Sequence, residues 1–222
     1  MRTVAVVPIK LNSRRLPNKN IRRFTDGKPL CFYAVSTLLQ TEGIDEVYVY
    51  CSSEYIKKFI PTGVKYLKRP TALDQDETTM NEVLKQFAKM VEADIYVLVH
   101  VTAPFISCGS IKKGVDAIKS GQYDSAFSVK KIQDFFWENN QPQNYKLDSI
   151  PRTQDLPVVY QETSGFYAFK QEVLLKAGRR IGDKALMIEV GEIEAIDIDE
   201  EEDFMIADAI NYFRNNVTVG DR

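Results

Sequence analysis

The sequence predicts an α/β fold, a three-layer α/β/α arrangement around a mixed but mostly parallel sheet. Three observations carry this expectation. Short β-branched runs alternate with helical patterns along most of the chain, as in successive βαβ units. Residues 95–101 are almost wholly apolar, as a strand covered on both faces must be. With 222 residues, 44 % hydrophobic and 27 % charged, the chain is globular and long enough to bury a substantial core.

The elements follow in order. Residues 3–7 read as a first strand and 29–40 as a helix, with Leu30, Tyr33, Ala34, Thr37 and Leu38 on one face. Strands are predicted over 46–51 and 64–67. A helix over 79–92 places Val83, Leu84, Phe87 and Met90 together. The strand at 95–101, a helix over 110–119 and a strand over 125–130 continue the alternation. The pattern then breaks. Residues 133–156 are rich in Gln, Asn, Asp and Pro, yet hold Phe135, Phe136 and Trp137. We expect a small insertion over about 131–160 whose aromatic anchor packs on a second copy of the chain, making a homodimer. Strands over 160–169 and 194–198 precede a last helix over 200–214, with Phe204, Ala207, Ile210 and Phe213 at helical spacing and an acidic start that suits the helix dipole. Residues 1–215 are expected to form one domain and 216–222 a frayed tail.

Composition excludes several function classes. A net charge of −2 argues against a general nucleic-acid binder. Cys31, Cys51 and Cys108 are dispersed, odd in number and without a CxxC pair, so neither a disulfide framework nor a zinc site is expected. No apolar run approaches the ~20 residues of a membrane span, and no leader pattern opens the chain. The expectation is a cytoplasmic protein, in which the sequon at Asn216 carries little weight.

Candidate chemistry begins after the first strand, at the sheet edge where open α/β proteins bind ligands. Residues 8–20 carry Lys10, Arg14, Arg15 and Lys19, with Asn12 and Ser13 as small polar residues and no acidic residue among them. Such a loop is either a solvated basic segment or a cradle for a polyphosphate, with Arg giving bidentate contacts and Lys a point charge. Neither GxxxxGK[ST] nor GxGxxG is present, which speaks against a P-loop and against a dinucleotide-dependent oxidoreductase. Arg69-Pro70 and then Asp76, Thr78 and Thr79 lead into the second helix; a hydroxyl here can cap the helix, contact a base edge, or both. His100, the one histidine, ends the apolar strand, two residues before Thr102. It is either structural or a hydrogen-bonding group that orients substrate, rather than a general base. Arg152 and Gln154 precede Thr163-Ser164-Gly165 on a strand, and a cation beside an amide suits a carboxylate. Asp197 and Asp199, two apart on a predicted strand, would share one side. They are either a Mg²⁺ site completed by phosphate oxygens or the acidic lead of the last helix.

Pro8, Lys10, Ser13, Arg14, Leu16, Pro17, Lys19 and Asn20, with Gly27-Lys28-Pro29-Leu30, resemble the signature of the acylneuraminate cytidylyltransferase family. Ser13-x-Arg15-Leu16-Pro17-x-Lys19 is similar to the related Kdo cytidylyltransferases. The resemblance continues in motif order over roughly residues 1–214, through Arg69-Pro70-x-x-Leu73, Thr102, Arg152 and Asp197-x-Asp199. It implies a nucleotide-diphospho-sugar transferase-like fold and transfer of CMP from CTP to an acidic sugar, a nonulosonic acid, with release of pyrophosphate. It implies that Pro8, Lys10, Asn12, Ser13, Arg14, Lys19, Arg69, Thr78 and Thr79 bind the nucleotide, with Lys10, Arg14, Lys19 and Asp199 catalytic. Arg15, His100, Thr102, Arg152, Gln154 and Ser164 would meet the acceptor, and Asp197 and Asp199 would hold Mg²⁺. Arg15 replaces the glycine usual in the sialic-acid branch, His100 its glutamine, and Thr163-Ser164-Gly165 its Asn-Gly-Ala. These departures leave Kdo or a phosphonate as alternative acceptors. A nucleotide-sugar-binding module without activity is the alternative of another class.

Overall fold

A computed structural model describes residues 1–13 and 15–216. The chain runs β1 (Thr3–Ile9), α1 (Leu30–Gln40), β2 (Glu46–Cys51), β3 (Lys65–Lys68), α2 (Met80–Ala88), β4 (Ile95–Val99) and α3 (Cys108–Lys119). It continues through β5 (Ser125–Ile132), β6 (Trp137–Glu138), β7 (Gln141–Pro142), β8 (Val159–Lys170), α4 (Gln171–Ala177), β9 (Ala185–Val190) and α5 (Glu201–Asn216). Seven strands form one sheet in the order β3-β2-β1-β4-β8-β5-β9. Only β8 runs against its neighbours, so the sheet is mixed but mostly parallel.

Alternation along the strands builds two cores. Ala5, Val7, Val49, Val97, Val99 and Ala168 face α1, α3 and α5. Val4, Val6, Tyr96, Leu98 and Phe169 face α2 and α4 on the other side. The predicted three-layer fold is therefore the observed one. Central strand β4 is buried at all of its positions, which explains its unbroken apolar run. No helix among the described residues is long and apolar enough to cross a membrane.

Several expectations change, among them Met90, predicted on the buried face of a helix over 79–92 but 49 % exposed beyond the end of α2. Residues 194–198 are not a strand: a turn is followed by residues without regular structure, and the Ile198 N–H donates to the Thr102 carbonyl at 2.8 Å beside the loop after β4. The last strand is instead β9, paired parallel to β5 at the sheet edge. Between β8 and β9 lies the short helix α4, closed by Gly178 at φ 75°, a left-handed cap that glycine adopts without strain. On α5, Phe204 and Ala207 are buried as predicted, but Phe213 is 56 % exposed.

The segment between β5 and β8 is an arm. Outer β5 and β8 remain paired from Val129 with Glu162 to Ile132 with Val159, carrying the arm away from the main core. β6 and β7 form a hairpin through Asn139 and Asn140, both at positive φ as a primed two-residue turn requires. Tyr145 packs its ring against Phe135 at 4.7 Å and Trp137 at 6.2 Å.

Candidate active site

A cavity of 320 Å³ opens beyond the carboxyl ends of the strands, and Pro8, Lys10, Lys19, Arg69, Thr78, His100 and Thr102 line it. These residues come from the ends of β1 and β4, the loop after β1 and the connection from β3 to α2, the edge where parallel sheets take ligands. Asn20, Gln75, Asp76 and the apolar Leu73, Met80 and Val83 complete the wall.

The loop after β1 is held at both ends. Leu16 is buried in the core, and the Asn20 amide donates to the Lys10 carbonyl at 2.7 Å. Lys19 reaches across to the segment before α5, donating to the Ile198 carbonyl at 2.7 Å and to Asp199 Oδ1 at 3.0 Å. Arg15 pairs with Asp199 Oδ2 at 2.9 Å and with Glu200 at 3.3 Å. Lys10 pairs with Asp76 at 2.9 Å. The loop lacks acidic residues of its own, but distant parts of the chain supply them. Burial would raise the Asp199 carboxyl; Lys19 and Arg15 outweigh it and hold Asp199 below the usual carboxylate range.

Arg69 is buried in the wall, where it pairs with Asp74, and its Nε has no partner. Its positive charge in the wall suits a bound anion. Thr78 lines the cavity, whereas Thr79 does not: it caps α2, accepting from Glu82 N at 3.3 Å while Glu82 accepts from Thr79 N at 2.7 Å. The hydroxyl chemistry of the pair is thus divided between site and helix.

His100 is partly exposed in the wall. Desolvation pushes its imidazole down to about 4, helped by the charge of Arg180 and opposed by Asp197. Neutral at physiological pH and weakly basic, it suits hydrogen bonding better than proton abstraction.

The other described residues expected at the site stand outside the cavity lining. Asn12 is exposed and Ser13 half-buried. Arg14 lies outside the described residues. Arg152, 72 % exposed on the arm, pairs with Asp155 at 2.8 Å, and Gln154 is exposed beside it. Ser164 is half-buried on β8 next to Thr163, which is structural: its hydroxyl donates to Ser128 Oγ at 2.7 Å, and Ser128 Oγ accepts from Phe166 N at 3.0 Å. That cluster sits at the irregularity in β5–β8 pairing between Phe127 and Val129, so packing accounts for Thr163 and Gly165 without an acceptor. Asp197 has one buried oxygen, Oδ1, with no partner.

Sequence reasoning missed the acidic partner role of Asp76, the wall residue Gln75, and a cluster beside His100. There the Tyr167 hydroxyl donates to Glu162 at 2.5 Å and the Arg180 guanidinium lies 4.3 Å from the Tyr167 ring centroid. Asp76 and Gln75 sit inside the Arg69–Thr79 motif, and Asp76 was open to discovery by its charge. Arg180 follows a helix that the periodicity did not reveal.

Residues 4–218 match the cytidylyltransferase family. N-acylneuraminate cytidylyltransferase A of Danio rerio is 26 % identical over 214 residues, covering 92 % of this chain and 49 % of the relative. Pseudaminic acid cytidylyltransferase of Campylobacter jejuni subsp. jejuni is 27 % identical over 184 residues, covering 75 % of this chain and 78 % of the relative. The chain spans about half the length of the N-acylneuraminate relatives, 49 % and 52 % in two of them. In fold it is similar to CMP:2-keto-3-deoxy-manno-octonic acid synthetase complexed with CTP, with a TM-score of 0.72 at 17 % identity over 96 % of this chain and 100 % of that one. The architecture is the nucleotide-diphospho-sugar transferase-like one. A basic loop clamped over the carboxyl edge of such a sheet, and a match running through nearly all of the sequence, make this chain a member of the cytidylyltransferase family.

Proposed function

We propose that the protein transfers CMP from CTP to an acidic sugar of the nonulosonic class and releases pyrophosphate. One observation carries this reading: Lys10, Lys19 and the buried Arg69 converge on one cavity at the carboxyl edge of the sheet, with Asp199 pinned beside it by Lys19. Two lysines and an arginine offer the charge and the donors that a triphosphate needs. Leu73, Met80 and Val83 give the same cavity an apolar side for a base, and Thr78 a hydroxyl for its edge. Relatives named for N-acylneuraminate and for pseudaminic acid support an acceptor among acidic sugars.

In the proposed reaction the anomeric hydroxyl forms a bond to the α-phosphorus. The bond from that phosphorus to the β-phosphate bridge breaks, pyrophosphate departs with the electron pair, and the hydroxyl proton passes to solvent. Lys10 and Lys19 would hold the phosphates in line and offset the charge gathered on the leaving group. Arg14, on the same loop, is assigned to the phosphates with them. His100 and Thr102 would orient the acceptor from the end of β4.

Mg²⁺ fits the residues present. Asp197 Oδ1 is buried and unpartnered, and Asp199 follows two residues on. Among the described residues no group of three or more His, Cys, Asp or Glu could hold a metal by itself. One or two carboxylates that leave the remaining positions to phosphate oxygens and water is the coordination Mg²⁺ prefers. Bound there, the ion would neutralise phosphate charge.

The exposed Phe135, Trp137, Leu147, Ile150 and Val159 of the arm and its root support a homodimer formed through this region. We assign the enzyme to the cytoplasm, where nucleoside triphosphates are kept. Pyrophosphate release from CTP, measured with N-acylneuraminate, pseudaminate, Kdo and a phosphonate, tests the function. Release with one of the nonulosonic acids is expected; CTP binding without release for any acceptor would establish a non-catalytic module instead.

A further inference from the structure

The acceptor in the proposed reaction is an acid, and its carboxylate needs a cation near the α-phosphate. Most cations around the cleft are committed to close pairs. Lys10 holds Asp76 at 2.9 Å, Lys19 holds Asp199 at 3.0 Å, Arg15 holds Asp199 at 2.9 Å, and Arg69 holds Asp74. Arg152 holds Asp155 within its own turn at 2.8 and 3.1 Å. Arg180 differs. Its ion pair with Glu162 spans 3.7 Å, longer than a hydrogen bond, and the Glu162 oxygen involved already accepts from Tyr167 at 2.5 Å. Its Nε is buried without a partner.

Position agrees with this availability. Arg180 lies in the loop between α4 and β9, with its guanidinium over the face of Tyr167. The Tyr167 ring stands 6.2 Å from the ring of His100, which lines the nucleotide cavity. The charges of Arg180 and Asp197 both act on that imidazole. Stacking fixes the plane of the guanidinium, and a side chain 28 % exposed remains open to a ligand. A planar fork fixed in advance is the geometry that reads a carboxylate with two hydrogen bonds.

We propose that Arg180 binds the carboxylate of the acceptor and thereby selects an acid. The inference rests on the reading of the site as a cytidylyltransferase for acidic sugars. It assigns to Arg180 the contact that sequence alone pointed to Arg152 for.

The experiment compares each acid, N-acylneuraminate or pseudaminate, with its carboxamide in pyrophosphate release by wild type, R180Q, R180K and R152A. For wild type and R152A the carboxamide should lose about tenfold or more in kcat/KM, the worth of one charge-assisted contact. R180Q should treat acid and carboxamide alike within about threefold, and R180K should recover part of the preference. CTP affinity, titrated without acceptor, should be unchanged in R180Q, which also shows that the variant is folded. A wild-type preference for the acid retained in R180Q, or lost in R152A instead, overturns the assignment and leaves the reaction standing. CTP binding by wild type without pyrophosphate release from any acid overturns the reading of the site, and the assignment falls with it.

Discussion

Asp199 shows how much a single residue of this site depends on its neighbours. One oxygen is held by Lys19 and the other by Arg15, so the carboxylate joins the basic loop to the segment before α5. Asp199→Asn should lower kcat for pyrophosphate release by roughly a hundredfold, since it weakens both the loop clamp and a ligand proposed for Mg²⁺. Unchanged turnover at limiting Mg²⁺ would remove Asp199 from the metal site. His100 makes a separate prediction about pH. Its folded pKa of about 4 lies below the ordinary value near 6.5, so the unfolded chain takes up the proton first as pH falls. Stability from this group is whole above pH ~6.5 and is lost progressively down to pH ~4. Between pH 7 and 4.5, urea melts should show wild type losing about 2 kcal/mol more than H100Q, below the full value of the shift because the ring is partly open to solvent. At this scale the cations were legible from charge alone. Their partners were not, because Lys10 meets Asp76 across 66 residues and Lys19 meets Asp199 across 180.

Elements were legible where periodicity and burial coincided. β1, β2 and β4 form where their apolar runs predict strands, and α1 buries Leu30, Ala34 and Leu38 of its predicted face while Tyr33 and Thr37 are half-buried. α2 begins at the Thr79 capping box, and Thr79→Ala should cost about 1 kcal/mol of stability in a denaturant melt, with little effect on CTP affinity. A comparable loss of CTP affinity would return Thr79 to the site. At Gly165 on β8, an added Cβ would meet Ser128 Oγ at 2.7 Å and Ile106 Cδ1 at 3.0 Å. Gly165→Ala should therefore destabilise the protein by about 1–3 kcal/mol, the cost of overpacking, seen as a lowered thermal midpoint. The residues at 194–198 alternate like a strand but find no strand to pair with: Ile198 turns its N–H to the loop after β4, and β9 has already taken the sheet edge. Alternation reports which side of a segment is buried, and a strand needs a partner as well.

At the scale of the whole molecule, the arm carries an apolar surface that lacks a cover. Trp137 is 53 % exposed and Leu147 and Ile150 are each 63 % exposed, while the main sheet has helices on both faces. If the arm makes the proposed homodimer, a F135D/W137D double variant should sediment as a monomer where wild type sediments as a dimer. A wild-type monomer at micromolar concentration would refute the dimer while leaving the cleft intact.

By itself the sequence determined the layering, the direction of the early strands and the place of the basic loop, because these follow from local periodicity and from charge confined to a short segment. The resemblance of its motifs added the chemistry. Only the tertiary structure decided which cations are already spent in ion pairs, which hydroxyls serve packing, and which guanidinium is left for an acceptor. Arg152 and Arg180 are equally basic in the sequence; what separates them is that one closes on Asp155 three residues away and the other is held over Tyr167 beside His100. Such differences arise from distances between segments far apart in the chain, and no local pattern encodes them.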